Sequence, residues 1–250
     1  MCELYLHTAK APTSQHPWLA EFIAHARAPF DNPNGWGLAF YEGSDAQLFH
    51  EPISAANSEL AQWVLAHPPK TDLVIGHLRK ASEGGISLAN TQPLSRMVNG
   101  RRTLFAHNGS VAALRDTEEG QRLERECLGT ADSEVALLKF LHWLGERCLR
   151  DAAKGFSDFA HEMADIGPFN AIITDGTDTL IHSDRRKHAS DGENAEFRGP
   201  GLYRHYGADG SLIVTSEPMA EGAVAIPEGT SLHLRDCEIV EAFGPLEDAA

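Results

Sequence analysis

Hydrophobic and polar positions along this chain follow two rhythms. An apolar run from Cys2 predicts a short strand to His7, and HPWLAEFIAHAR after it sets Trp18, Phe22 and Ile23 at helical spacing. GWGLAFYEG and AQLFHE flank a Gly-Ser-Asp turn and predict a hairpin, after which SELAQWVLAH returns to helix. The continuous run DLVIGHLRKA predicts a buried strand that acquires His77 and Arg79 at its end, as a strand does when it empties into a site. TLFAHNGSVAAL holds another short strand and the dipeptide Asn108-Gly109. DSEVALLKFLHWLGERCL places Leu137, Leu138, Leu141, Leu144 and Cys148 on one stripe, predicting a helix capped by Asp132 or Thr130.

The second half is richer in strands. FNAIITDG, TLIHS, GLYRHY, SLIVTSEP, GAVAIP, TSLHLRD and EIVEAF are separated by Gly, Asp and Pro turns. The polar stretch at 184–200 reads as a loop, and no Pro- or Ser-rich linker divides the chain. The expectation is a single mixed α/β domain over 1–250, with two sheets and helices packed outside them.

Charge narrows the partners. Lys and Arg total 21 against 36 Asp and Glu, a formal charge of −15, which repels a phosphate backbone and speaks against nucleic acid. VALLKFLHWL is interrupted by Lys139 and His142 and is shorter than the roughly 20 residues of a membrane span, so no membrane partner is expected. The N-terminus lacks a basic flank before an apolar run, and the four cysteines show no CxxC pair. Reduced thiols in the cytoplasm follow as the expectation.

Cys2 raises the chemical question. With a small residue behind it, the initiator methionine is expected to be removed, leaving a thiol and a free α-amine on one residue. The amine titrates near about 7.7–8.0 and the thiol near about 8.5, so one can serve as base for the other. Read alone, each other candidate has an ordinary explanation. Cys2 is a small filler at a strand start, and Arg79 is a surface ion-pair residue. Asn108-Gly109 is a hairpin turn, Asp132 a helix cap, and Trp36 a core aromatic between glycines.

Taken in order, MC, GWG, GHLR, NTQP, HNG and DSE resemble the class II glutamine amidotransferases of the N-terminal nucleophile hydrolase superfamily. TSEP at 215–218 is similar to a segment of the small stand-alone members. The resemblance implies a four-layer αββα sandwich of two mostly antiparallel sheets covered by helices. It implies that Cys2 attacks the γ-carboxamide of glutamine, with Asn108 and Gly109 forming the oxyanion hole. It makes Arg79 the partner of the substrate α-carboxylate and Asp132 that of its α-ammonium, with His77, Thr91 and Trp36 as wall residues. Ala131 and Leu94 depart from the family's usual Thr and aromatic, which bears on the pocket rather than the chemistry.

The expected substrate is glutamine or a γ-glutamyl small molecule, with no cofactor and no metal. Alternatives are an ammonia-donating glutaminase subunit of a separate synthase, a cysteine acylase acting on another amide, and an inactive regulatory subunit. A metal enzyme is disfavoured: HEMAD at 161–165 lacks the second histidine of a zinc helix, and the histidines of HSDRRKH bracket three cations. The chain ends without a second catalytic module to receive ammonia, which favours hydrolysis of γ-glutamyl compounds. Arg185, Arg186 and Lys187 are candidates to border the leaving-group side, although a solvated loop is the better explanation of them from sequence.

Overall fold

The first strand, β1 (Glu3–Thr13), pairs antiparallel with both β4 (Thr71–Leu78) and β10 (Leu212–Thr215), so the N-terminus lies in the middle of a sheet rather than fraying at its edge. The computed structural model describes residues 1–188, 191 and 195–245. Strands β2 (Trp36–Glu42) and β3 (Asp45–Glu51) extend that sheet on one side, with β9 (Leu202–Tyr206) and β11 (Val224–Ile226) on the other, giving seven strands ordered β11-β9-β10-β1-β4-β2-β3. The second sheet has six strands: β5 (Leu94–Val98), β6 (Arg101–Gly109), β7 (Phe169–Thr174), β8 (Asp178–Ser183), β12 (Thr230–Arg235) and β13 (Glu238–Phe243). Its order is β13-β12-β8-β7-β6-β5, again antiparallel throughout.

Side-chain alternation builds four layers from these strands. Leu4, Leu6, Ile75, Ala39 and Val214 of the first sheet meet Leu104, Ala106, Ile172, Ile181 and Leu232 of the second in a dry inter-sheet core. The opposite face of the first sheet, with Tyr5, Trp36, Leu38 and Phe40, packs on α1 (Leu19–Ala24) and α2 (Glu59–Ala66) through Phe22, Ile23, Ala61 and Val64. The outer face of the second sheet, with Phe105, Phe169, Ala171 and Ile173, is covered by α4 (Asp132–Leu144) and α5 (Ala153–Ile166). Both faces of the central strands are therefore buried, which is why they read as unbroken apolar runs. The expected αββα sandwich is the observed one.

Local signals set most boundaries. Ser58 Oγ caps α2 by accepting the Ala61 N–H at 2.8 Å, and Thr117 caps α3 (Glu118–Glu124) in the same way at Gly120, 2.9 Å. Three expectations require correction. The 132-onward helix stops at Leu144, because Gly145 turns to φ 57°, so Cys148 lies beyond the stripe assigned to it. That helix starts after Ala131 and receives no side-chain cap from Asp132 or Thr130. Asn108-Gly109 is no hairpin turn: both residues finish β6, paired with Asn170 and Phe169. Among the described residues, no helix is long and apolar enough to cross a membrane.

Candidate active site

The site assembles where the strands carrying HLR and HNG end, beside the start of β1. The nucleophile candidate is fixed from two directions. Cys2 Sγ donates to the Lys80 carbonyl at 3.4 Å and accepts the Lys80 N–H at 3.3 Å, bridging the end of β4. Next to it, the fully buried Glu3 carboxylate accepts from His25 Nδ1 at 2.6 Å and from Asn32 Nδ2 at 3.4 Å, anchoring the strand start. Burial pushes the Cys2 thiol pKa up; the Lys80 N–H, the N-terminal charge and Arg79 act against that rise, while Asp132 adds to it.

Arg79 and Asp132 converge on this thiol. Each acts electrostatically on Cys2, and Cys2 and Asp132 in turn support the charged form of Arg79. The Arg79 guanidinium is buried against the carbonyls of Glu83 (2.8 Å), Gly84 (3.3 Å) and Gly85 (3.1 Å). These bonds occupy three of its five N–H donors and leave two for a ligand. Asp132 Oδ2 accepts the Val111 N–H at 2.7 Å and Oδ1 that of Ser133 at 2.8 Å, each oxygen keeping a further lone pair. A cation and an anion are thus held, each with hydrogen-bonding capacity to spare, within electrostatic reach of the Cys2 sulfur.

Asn108 faces the inter-sheet side of β6 with Leu104 and Ala106, and β1 lies against β6 across that core. It is fully buried, yet among the described residues neither its Nδ2 nor its Oδ1 has a hydrogen-bond partner. A buried amide left unpaired costs about 1–3 kcal/mol, so Asn108 is placed against the packing interest of the free protein. Gly109 follows. A Cβ there would sit 1.6 Å from the Pro168 carbonyl oxygen, so the glycine is demanded by the protein's own backbone rather than by close approach of a substrate.

The remaining wall candidates separate. His77 points into the inter-sheet side beside Ile75, fully buried, its pKa pushed down to about 3 by burial and by the charges of Arg79 and His107. Thr91 packs on Gly35, whose carbonyl accepts the Arg79 N–H at 2.8 Å, so it braces the Arg79 backbone at one remove. Trp36 is not brought to the site. It is fully buried in the outer core with Tyr5 and Phe22, its Nε1 donating to Glu51 Oε2 at 3.3 Å, because strand alternation sends it to the face opposite Leu4 and Ala39.

Sequence reasoning overlooked the other letters of the same motifs, which form the frame. Gln92 Oε1 accepts the His107 N–H at 2.6 Å, while its Nε2 donates to Ser133 Oγ at 3.2 Å. Ser133 Oγ also meets His107 Nδ1 at 2.9 Å. Asn90 Nδ2 donates to Gly85 O (2.8 Å) and Thr130 Oγ1 (3.0 Å), and its Oδ1 accepts the Thr130 and Ala131 N–H groups. Glu134 accepts the Leu128 and Gly129 N–H groups and pairs with Arg96. NTQP, HNG and DSE are thereby locked into one hydrogen-bonded unit behind Asn108, Arg79 and Asp132.

Comparison with known proteins places this arrangement. Over 97% of the chain, the fold superposes on glutamine phosphoribosylpyrophosphate amidotransferase of B. subtilis, with a TM-score of 0.66 and 19% identity. The chain spans 49% of that enzyme. It also matches, over 96% of this chain and 100% of the other, a Pseudomonas aeruginosa crystal structure described as a predicted glutamine amidotransferase (TM-score 0.63, 24% identity). These likenesses show that the chain shares the fold of both proteins, two antiparallel sheets covered by helices. The family model described as glutamine amidotransferases class-II matches residues 1–191. YafJ of Escherichia coli K12, which carries the name of a glutamine amidotransferase, is 30% identical over 194 residues, 75% of each chain. This chain belongs to the class II glutamine amidotransferases, a family of enzymes.

Proposed function

We propose that this protein is an amidohydrolase that cleaves the γ-amide of glutamine or a γ-glutamyl compound through the Cys2 thiol, as one domain spanning 1–250. After loss of Met1, the Cys2 α-amine takes the thiol proton. Sulfur attacks the γ-carbonyl carbon, and the oxyanion is held by the Asn108 amide and the Gly109 N–H. The C–N bond breaks as the amine leaves with the proton, giving a γ-glutamyl thioester. Water then attacks that carbonyl, the C–S bond breaks, and glutamate and thiol are regenerated. Arg79 binds the α-carboxylate, since a guanidinium fork matches it, and Asp132 binds the α-ammonium.

The observation that carries this reading is the buried Asn108 side chain with both polar atoms unpartnered, on the face that β6 turns toward β1. Hydrolysis of γ-glutamyl amides is favoured over ammonia donation, because Arg79 and Asp132 would read only the glutamyl head and leave the departing amine unrestricted. The test is intact-mass analysis of the purified chain, followed by incubation with glutamine and γ-glutamyl amides under acid quench. The expected results are absence of Met1 and a trapped γ-glutamyl adduct on the Cys2 peptide. An active chain that retains Met1 would overturn the self-base mechanism.

A further inference from the structure

Arg186 is among the most buried large side chains of the protein, at 2% exposure, and it is poorly satisfied. Among the described residues, its Nε and Nη1 have no hydrogen-bond partner. Its Nη2 lies 3.2 Å from Glu217 Oε1, but without hydrogen-bond alignment, for Oε1 is unpartnered as well. His188 Nε2, two residues on, is also buried and unpaired. A buried guanidinium normally has its donors matched, because unmet burial of a charge is expensive. Two open nitrogens on one buried arginine therefore point to an acceptor that joins later.

Three links set Arg186 beside the nucleophile. The Lys187 N–H donates to Met1 Sδ at 2.9 Å, so the methionine side chain lies against this segment. The Arg186 charge is among those that lower the pKa of the Met1 amine, after burial. Glu217 follows Ser216, whose Oγ accepts the Leu4 N–H at 2.9 Å and whose own N–H donates to the Leu4 carbonyl at 3.1 Å. On the other sheet, Asn170 Nδ2 donates to the carbonyls of both Asn108 (3.2 Å) and Arg185 (3.0 Å), tying the proposed oxyanion residue to the same segment.

Met1 thus fills the space between Cys2 and the Arg186–Lys187 backbone. When it is cleaved, that space has the thiol and amine of Cys2 on one side and a guanidinium plus a freed N–H on the other. We infer that this vacated space is a leaving-group subsite selecting γ-glutamyl amides whose departing amine bears a carboxylate, as in γ-glutamyl amino acids and peptides. An α-carboxylate on the leaving amine lies two bonds from the scissile nitrogen. Two bonds span about 2.5 Å and the carboxylate oxygens lie about 1 Å further, which fits within the single residue step of about 3.8 Å between successive Cα atoms that Met1 occupied. Free glutamine places nothing there. The inference rests on the amidohydrolase reading and adds to it the chemistry of the leaving group.

The experiment compares kcat/KM for γ-glutamylglycine, γ-glutamylglycinamide and glutamine, using purified chain verified to lack Met1. The two dipeptide substrates differ by a carboxylate against a neutral amide of the same shape. A preference of about 10–100-fold for γ-glutamylglycine is expected, the worth of one charge-assisted contact, carried mainly by KM. Arg186→Gln should reduce the preference to within about threefold, and Arg186→Lys should retain part of it. Because Arg186→Gln strands Glu217, the double variant Arg186→Gln with Glu217→Gln is measured beside it. Equal cleavage of the two dipeptides by the wild-type chain overturns the subsite and leaves the amidohydrolase reading intact. An undiminished preference in a folded Arg186 variant also overturns it. Failure to cleave any of the three compounds overturns the amidohydrolase reading, and the subsite with it.

Discussion

Cys2 and Lys80 share a two-way contact: the sulfur accepts the Lys80 backbone N–H at 3.3 Å and faces its carbonyl at 3.4 Å. A side chain one residue from a chain end is thereby held at the end of β4. The held thiol is the premise of the first prediction. Cys2→Ala should abolish turnover with any γ-glutamyl substrate while leaving the unfolding midpoint near wild type, since the lost sulfur contacts are weak. A chain carrying an uncleavable residue ahead of Cys2 should be impaired comparably, by about 10²-fold or more, the usual worth of general base assistance. Steady-state rates on proteins checked by intact mass decide it, and wild-type activity in the blocked chain would refute the role of the α-amine.

Asn108 and Gly109 are adjacent, but their substitutions should fail differently. Asn108→Ala removes one donor to the oxyanion and should lower kcat by about 10²–10³ with little change in KM. Because the side chain makes no bond in the free protein, stability should hold or rise slightly. Gly109→Ala drives a methyl into the Pro168 carbonyl, so the end of β6 must shift. It should lower the melting temperature as well as activity. Kinetics paired with thermal unfolding separate the cases; an Asn108→Ala protein altered only in KM would remove Asn108 from the oxyanion hole.

Arg79→Lys tests recognition. An ammonium cannot satisfy three loop carbonyls and a carboxylate in the plane of a fork. KM should rise at least tenfold for every γ-glutamyl substrate, while acylation of Cys2 by a small electrophile such as iodoacetamide continues. Unchanged KM with reduced kcat would place Arg79 in the chemistry instead of in binding.

What was legible in the sequence follows a physical divide. Strands buried on both faces announce themselves as apolar runs, and all seven strand segments read in the second half form. The helix α5 carries its own signal, since Phe156, Phe159, Ala160 and Met163 are spaced as one buried face. The short α3 and edge strand β5 lack such a stripe. Arg79, Asp132 and Asn108 could be named because GHLR, DSE and HNG, taken in order with the other motifs, resemble a known family, and that resemblance implies a role for each. Trp36 could not be placed, since a one-residue change of strand parity moves a side chain to the other face, and nothing in GWG fixes that parity. The bracing roles of Gln92, Asn90 and Ser133 depend on pairings across 15 to 41 residues, and no local spacing encodes those.

The buried histidines make the fold sensitive to mild acid. Burial holds His7 to about 4, and His77 and His182 to about 3, all below the ordinary value near 6.5. The unfolded chain therefore binds protons below about pH 6.5 that the folded chain refuses. Each such group contributes stability that is complete above pH 6.5 and is lost as pH falls from there toward its folded pKa. The slope approaches about 1.4 kcal/mol per pH unit for each histidine. Solvent-exposed carboxylates remain ionised in both states down to about pH 5, and burial raises the pKa of Asp184, which acts in the opposite direction, so a net loss of stability between about pH 6.5 and 5 belongs to the histidines. Urea unfolding at pH 7.5, 6.5, 5.8 and 5.0 should show a plateau above 6.5, then a loss of several kcal/mol. His182→Gln, which can keep a bond to Ser231 Oγ and lies in β8, well along the chain from the proposed nucleophile, should shallow the slope by close to one proton. Stability that stays flat from pH 7.5 to 5.0 would show that these histidines titrate in the folded chain as they do in water.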